Sequence, residues 1–173
     1  DSSVTGVQTC ALPICLRDRE MQILMAEVPL PEDPTVMVPV SYKVSHELTH
    51  DERDPALADL VDRLRDVVEF RGRRILYNWF GATRRDWRGQ GHFRALTEQQ
   101  EIWALTLGFD EIIVKTKNRY YDMRAALASL QFDVIKVEAG DVADPQDAKV
   151  YLSKRLGPAV LDAHRAAKQL RSK

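Results

Sequence analysis

The sequence predicts one α/β domain with some parallel strand pairing. Strand and helix patterns alternate from about residue 73 to residue 139, which is how a chain builds parallel strands across intervening helices. Two strand patterns joined by a proline turn precede this alternation. A length of 173 residues suits a single domain with a sizeable core. No internal repeat or low-complexity segment interrupts the pattern.

The elements follow in chain order. MQILMAEVPL (21–30) reads as a strand, and EDP (32–34) as a turn. In TVMVPVSYKVSHEL (35–48) the second half alternates, with Val40, Tyr42 and Val44 on one face and Ser41, Lys43 and Ser45 on the other. That pattern predicts a half-buried strand paired to the first as a hairpin. DPALADLVDRLRDVVEF (54–70) predicts a helix. Asp54 suits the N-cap and Pro55 the first turn, and Leu57, Leu60, Val61, Leu64, Val67 and Val68 form an apolar stripe. RRILYNWFGAT (73–83) is rich in branched and aromatic residues, as strands are. A helix follows, with Phe93, Leu96, Gln100, Trp103 and Leu107 at helical spacing and Gly108 as its stop. EIIVKT (111–116) reads as a short buried strand. YYDMRAALASL (120–130) reads as a helix with Tyr120, Met123, Leu127 and Leu130 on one face. FDVIKVEA and AKVYLSKRL predict two strands around an Asp-rich turn (140–147), and residues 158–173 a C-terminal helix with a basic end.

Composition narrows the class of function. With 45% hydrophobic and 29% charged residues the chain has the make-up of an ordinary globular protein. A formal net charge of -1 argues against a general binder of nucleic acid or of an anionic membrane surface. No apolar run reaches the roughly 18 residues of a membrane span. Cys10 and Cys15 are the only cysteines, so neither a disulfide framework nor a thiolate metal site is expected, and a cytoplasmic location is the default. DSSVTGVQTCALPI (1–14) resembles a translated sequencing adapter. It is expected to be a non-native leader and is set aside from the fold, as a tag would be.

The most informative stretch is RDWRGQGHFRAL (85–96). A helix N-terminus has unsatisfied N–H groups and partial positive charge, so it attracts anions. Gly89 and Gly91 leave room for a phosphate beside the backbone, and Arg84, Arg85 and Arg88 add charge. Strand, glycine turn and helix fit a pyrophosphate cradle, although an ordinary strand-to-helix loop with solvated charges has the same local pattern. No GxxxxGK[ST] run exists, and GQGHFR has Arg94 where the dinucleotide fingerprint needs a third glycine.

YNWFGATRRDWRGQGHFRAL together with EIIVKTKNRYYDMRAALASLQFDVIKV resembles the GNAT superfamily of acetyl-CoA-dependent N-acetyltransferases, over about residues 21–157. Arg88 and Gly91 match the family pattern Arg/Gln-x-x-Gly-x-Gly/Ala, while Phe93 replaces its last small residue. Gln131-Phe132 stands where the family often has Gly-Phe. The resemblance implies a mixed, mostly antiparallel sheet with a splayed parallel pair, flanked by helices. It implies acetyl-CoA as co-substrate, with no metal. The backbone of Gly81, Ala82 and Thr83 would meet the pantetheine arm. Arg88 and the amides of Gly89, Gln90, Gly91, His92 and Phe93 would take the pyrophosphate, with His92 as a solvent-exposed donor. Asn118 would sit near the pantetheine arm, cap the following helix, or do both.

The implied reaction moves acetyl from acetyl-CoA to a primary amine of an unknown acceptor by direct attack in a ternary complex. His46 and Glu47, at a strand end, are the candidate bases acting through water. Tyr120 and Tyr121 are the candidate acids, because Leu127 stands near the family's usual tyrosine. The family's first strand and first two helices would precede Met21, so the GNAT-like domain (15–157) is expected to lack them. The apolar edge holding Met21, Ile23, Leu24 and Met25 is then expected to make the chain dimerise or aggregate. Two other classes remain open: an acyl-CoA-binding module without turnover, and an α/β structural domain that binds no nucleotide.

Overall fold

The computed structural model describes residues 19–139 and 144–171. The chain runs β1 (Met21–Pro29), β2 (Met37–Leu48), α1 (Pro55–Leu64), β3 (Ile75–Thr83), α2 (His92–Thr106), β4 (Glu111–Lys117), α3 (Tyr121–Ser129), β5 (Asp133–Glu138), β6 (Lys149–Arg155) and α4 (Pro158–Arg171). Six strands form one sheet in the order β1-β2-β3-β4-β6-β5. All neighbours are antiparallel except β3 and β4, the parallel pair that α2 connects. The leader assigned to residues 1–14, both cysteines and positions 140–143 of the Asp-rich turn lie outside the described residues.

The central strands are buried on both faces, and their side chains alternate between two cores. Ile75 and Tyr77 of β3, Ile113 of β4 and Tyr151 of β6 pack with Leu60, Val61 and Leu64 of α1. The intervening Leu76, Ile112, Val114, Val150 and Leu152 pack on the other face with Ala104 of α2 and Leu127 of α3. Leu96 of α2 reaches across to Leu24, Ala26, Val28 and Val40, closing the hairpin onto the same helix.

Local chemistry fixes the ends of α1. Asp54 accepts hydrogen bonds from the amides of Ala56 and Leu57, with Pro55 in the first turn. The helix stops at Leu64, before the predicted end at residue 70. The amides of Val67 and Val68 both turn back to the Leu64 carbonyl. That turn sends Val68 and Phe70 into the core and leaves Val67 exposed. After α3, Gln131 has φ 64, the left-handed conformation that glycine takes more easily.

The half-buried reading of β2 is overturned. Ser41, Lys43 and Ser45 are buried and Tyr42 is exposed. Helix α2 lies across the supposed polar face, so alternation in the sequence marks the two faces without saying which one is wet. A bulge at Val44/Ser45 then shifts the β2–β3 register around Trp79.

Gly81 is required by that packing. A Cβ there would lie 2.6 Å from the Tyr42 carbonyl oxygen and 3.3 Å from the Lys43 Cγ. Gly81→Ala is therefore expected to destabilise the fold by roughly 1–3 kcal/mol through backbone displacement. Urea denaturation checks this; a midpoint equal to the parent's would refute the close approach.

Candidate active site

The geometry begins where the parallel pair ends. β3 and β4 pair only from Ile75↔Glu111 to Asn78↔Val114. Beyond that point β3 keeps β2 as its partner through Thr83, while β4 turns to β6 and continues to Lys117. The two strands splay, and the β4-facing edge of β3 from Trp79 to Thr83 has no strand partner among the described residues. Gly81, Ala82 and Thr83 lie on this open edge.

At the end of β3 the chain makes a 3-10 turn (Arg85–Trp87) and enters α2 through Gly91. Gly91 is the N-cap at φ 85, and Gly89 has φ 73. A Cβ at either would meet nothing within 4 Å, so their need for glycine is conformational and the space outside them is open. No side chain caps α2, which leaves the first-turn amides pointing outward as free donors. Arg88 donates from Nε to the Thr83 carbonyl at 3.3 Å, and Arg84 is paired with Asp86 at 2.8 Å. Open strand edge and uncapped helix end thus meet at one end of the sheet.

His92 departs from its expected exposure. It is buried, edge-on to Trp87 at 6.0 Å, and neither ring nitrogen has a partner. Its position as the first residue of α2 turns the side chain inward while its amide stays at the helix end. Phe93 is half-buried in the α2–α3 core. Asn118 does not cap α3 with its side chain. It donates to the Pro145 carbonyl at 3.1 Å and accepts from Arg124, so it ties the end of β4 to the turn before β6.

The acid and base candidates are scattered. Tyr120 and Tyr121 are exposed at the start of α3, and Tyr121 donates to Gln146 Oε1 at 2.6 Å. His46 and Glu47 lie opposite Tyr77 and Leu76, toward the other end of β3 from the open edge. Glu47 is held by Arg74 at 2.9 and 3.2 Å. His46 is buried edge-on to Tyr77 and Trp79, with Nδ1 2.8 Å from the Glu47 carbonyl. Burial pushes its pKa down. The structure brings neither of them to the glycine turn.

What the sequence did not single out is Lys43. It is 3% exposed, lies opposite Gly81, and donates from Nζ to Thr97 Oγ1 of α2 at 2.8 Å. Burial lowers its pKa to about 7 against the opposing pull of Glu101. The one local signal was Gly81 across the strand pair, since a lysine stem needs that room.

Neither a protein-family model nor a curated protein sequence matches the chain. Solved structures do. The NatC complex bound to Gag peptide and CoA aligns with a TM-score of 0.58 at 16% identity, over 78% of this chain and 71% of that one. Arabidopsis thaliana NAA60 in complex with acetyl-CoA aligns at 0.58 and 9% identity, over 78% and 76%. An IAA acetyltransferase from Bacillus cereus aligns at 0.53 and 12% identity, over 79% and 78%. The fold is that of the GNAT acetyltransferases. The mostly antiparallel six-stranded sheet with its one parallel pair is what the alignments share.

Lys43 makes the stability of this GNAT-like fold depend on pH. Its pKa is lowered on folding, so between about pH 7 and pH 10 the unfolded chain binds more protons at this group than the native one. Stability therefore rises with pH across that window, by up to about 1.4 kcal/mol per pH unit, and the penalty is complete below pH 7. Lys43→Met should remove this slope and gain most stability at low pH. Parallel urea titrations of both proteins at several pH values test it; equal slopes would show that the amine stays charged in the fold.

Proposed function

We propose that the chain is an N-acetyltransferase that moves acetyl from acetyl-CoA to a primary amine by direct attack in a ternary complex. The observation that carries the reading is the meeting of the open edge of β3 with the uncapped N-terminus of α2. An extended amide-bearing arm can hydrogen-bond along Gly81–Thr83 as a strand would. A pyrophosphate at its far end meets the amides of Gly89 to Phe93, with Arg85 and Arg88 beside them. Asn118 lies on the β4 side of the splay, where it can face the arm. The fold neighbours include proteins solved with CoA or acetyl-CoA, which supports the same co-substrate.

In this reading the chain supplies position and polarity. Donors on the open edge polarise a thioester carbonyl, and confinement holds amine and carbonyl together. Helix α2 covers one face of β3, so the acceptor approaches from the other. There Trp79, Phe80 and Tyr42 form an exposed ring group, with Trp79–Phe80 centroids 4.7 Å apart. Tyr120 and Tyr121 are the nearer acid candidates; Glu47 is already engaged by Arg74. A binding module without turnover is the second reading. It is favoured by Leu127, fully buried in the core where the family usually presents a tyrosine.

CoA and acetyl-CoA are expected to raise the melting temperature, because they bind only the folded state. Adenosine, which lacks the pyrophosphate and the arm, should do much less. Gly91→Asp should weaken CoA at least tenfold, about 1.4 kcal/mol, by placing a carboxylate at the phosphates. Calorimetry reads the second effect. An unmoved melting point at millimolar CoA, in folded protein, would end the reading. Binding without turnover over a panel of amines would select the module.

A further inference from the structure

The sheet face that α1 covers continues past that helix as two unlike walls, one on each side of the splay. The β3–β4 ladder ends at Asn78↔Val114, and Val114 packs on the α2 side. Trp79 and Lys115 come next on the two strands. They are the first residues to flank the splay, and alternation turns Lys115 to the α1 side. Paired strands lie about 4.8 Å apart, so the two stems start across a gap of small-molecule width.

The β3 wall is aromatic. Tyr77, in the α1 core, lies edge-on to His46 at 5.6 Å, and Trp79 lies edge-on to the same ring at 5.9 Å. Phe80 follows at 4.7 Å from Trp79, and Tyr42 at 6.2 Å from Phe80. The row starts in the core and emerges into solvent, where Trp79, Phe80 and Tyr42 are exposed. Tyr42 is opposite Ala82, so the exposed rings border the open edge itself. Contiguous exposed rings mark a surface that a flat apolar group covers.

The β4 wall is cationic. Lys115 and Lys149 are each two residues from a member of the α1 core, Ile113 and Tyr151, and so share its face. Both are exposed, and neither makes a hydrogen bond or a salt bridge. The carboxylates nearby are engaged. Arg63 holds Asp59 at 2.7 Å and Glu138 at 3.2 Å, while Lys117 and Arg119 share Asp147. Partial desolvation, and after it the charge of Lys149, lower the pKa of Lys115. Two like charges with no counter-ion attract an anion and repel a cationic acceptor.

We propose that the acceptor is a small primary amine carrying both an aromatic group and a carboxylate, with the ring on Trp79 and Phe80 and the carboxylate at Lys115. An aromatic α-amino acid is the simplest such molecule. This rests on the acetyl-CoA reading above. The amine nitrogen forms a bond to the thioester carbonyl carbon, the carbon–sulfur bond breaks, and the proton lost by the nitrogen neutralises the thiolate. The products are the N-acetyl amino acid and CoA.

The test measures CoA release from acetyl-CoA with five amines: phenylalanine, phenethylamine, alanine, spermidine and a peptide with phenylalanine first. CoA-induced stabilisation is measured on the same preparations. Phenylalanine is expected to exceed each of the others in kcat/KM by roughly tenfold or more. In Lys115→Gln its advantage over phenethylamine should fall about tenfold, mostly through KM, and Lys115→Arg should restore it. In Trp79→Leu or Phe80→Leu its advantage over alanine should fall instead. Stabilisation by CoA in each variant shows that it is folded. Stabilisation of the parent without turnover of phenylalanine, or with spermidine, alanine or the peptide preferred, would overturn the proposal and leave the acetyl-CoA reading standing. An advantage over phenethylamine that Lys115→Gln leaves intact would overturn it too. No stabilisation by CoA would overturn both.

Discussion

Everything that makes this fold more than a covered sheet depends on where β3 and β4 part. Their parallel ladder covers four residue pairs and ends at Asn78↔Val114. The cause is on the other side of β3. The bulge at Trp79 shifts the register with β2, and Gly81 lets β2 press close enough that no Cβ would fit. β3 follows β2, and β4 follows β6. Unpaired backbone edges in a protein interior are costly and are normally covered or paired. An edge left open between two splayed strands is a place for something extended that brings its own amides.

Helix α2 is placed by the same parting. A helix joining two parallel strands starts at the far end of the first, so its N-terminus must sit at the splay. Gly91 enters the helix from the left-handed region and offers no capping side chain, so the free amides are preserved. Arg94 ties α2 to Ser129 of α3 at 2.8 Å, holding the helix end beside the second strand of the pair. Alignment of strand edge and helix dipole follows from topology, and the glycines keep it accessible.

The elements that local chemistry determines were legible in the sequence: the Asp54-Pro55 start of α1, the β1–β2 hairpin, and the glycine turn that opens α2. What was not legible depends on contacts between residues far apart. Ser41, Lys43 and Ser45 read as a wet face, because nothing in residues 35–48 announces that α2 will cover them. His92 read as exposed because it follows a glycine turn, yet helix phase turns it toward Trp87. Glu47 read as a candidate base, but Arg74, 27 residues away, takes both its oxygens. The end of α1 failed for a related reason: Val68 and Phe70 are drawn into a core built mostly by β3, β4 and β6.

The covered face of β2 carries an energetic argument of its own. Besides Lys43, it brings Gln22, Asn78, Gln100 and Glu101 into the space under α2. Each keeps at least one buried polar atom without a protein partner. Such atoms are stabilised only by water, and each left dry costs about 1–3 kcal/mol. Apolar residues of similar volume would hold α2 to the sheet more tightly, as buried polar groups exchanged for well-packed apolar ones often do. Leu96 and Ala104, on either side of this band, show that the helix can present such residues. The polar band lies along the stretch of β3 where its pairing with β4 ends, and it runs through Glu101 to His164 on α4. His92 at the start of α2 and Arg124 of α3 keep unpartnered buried atoms too, but the largest group of them lies in this band, beside the open edge and between two apolar cores.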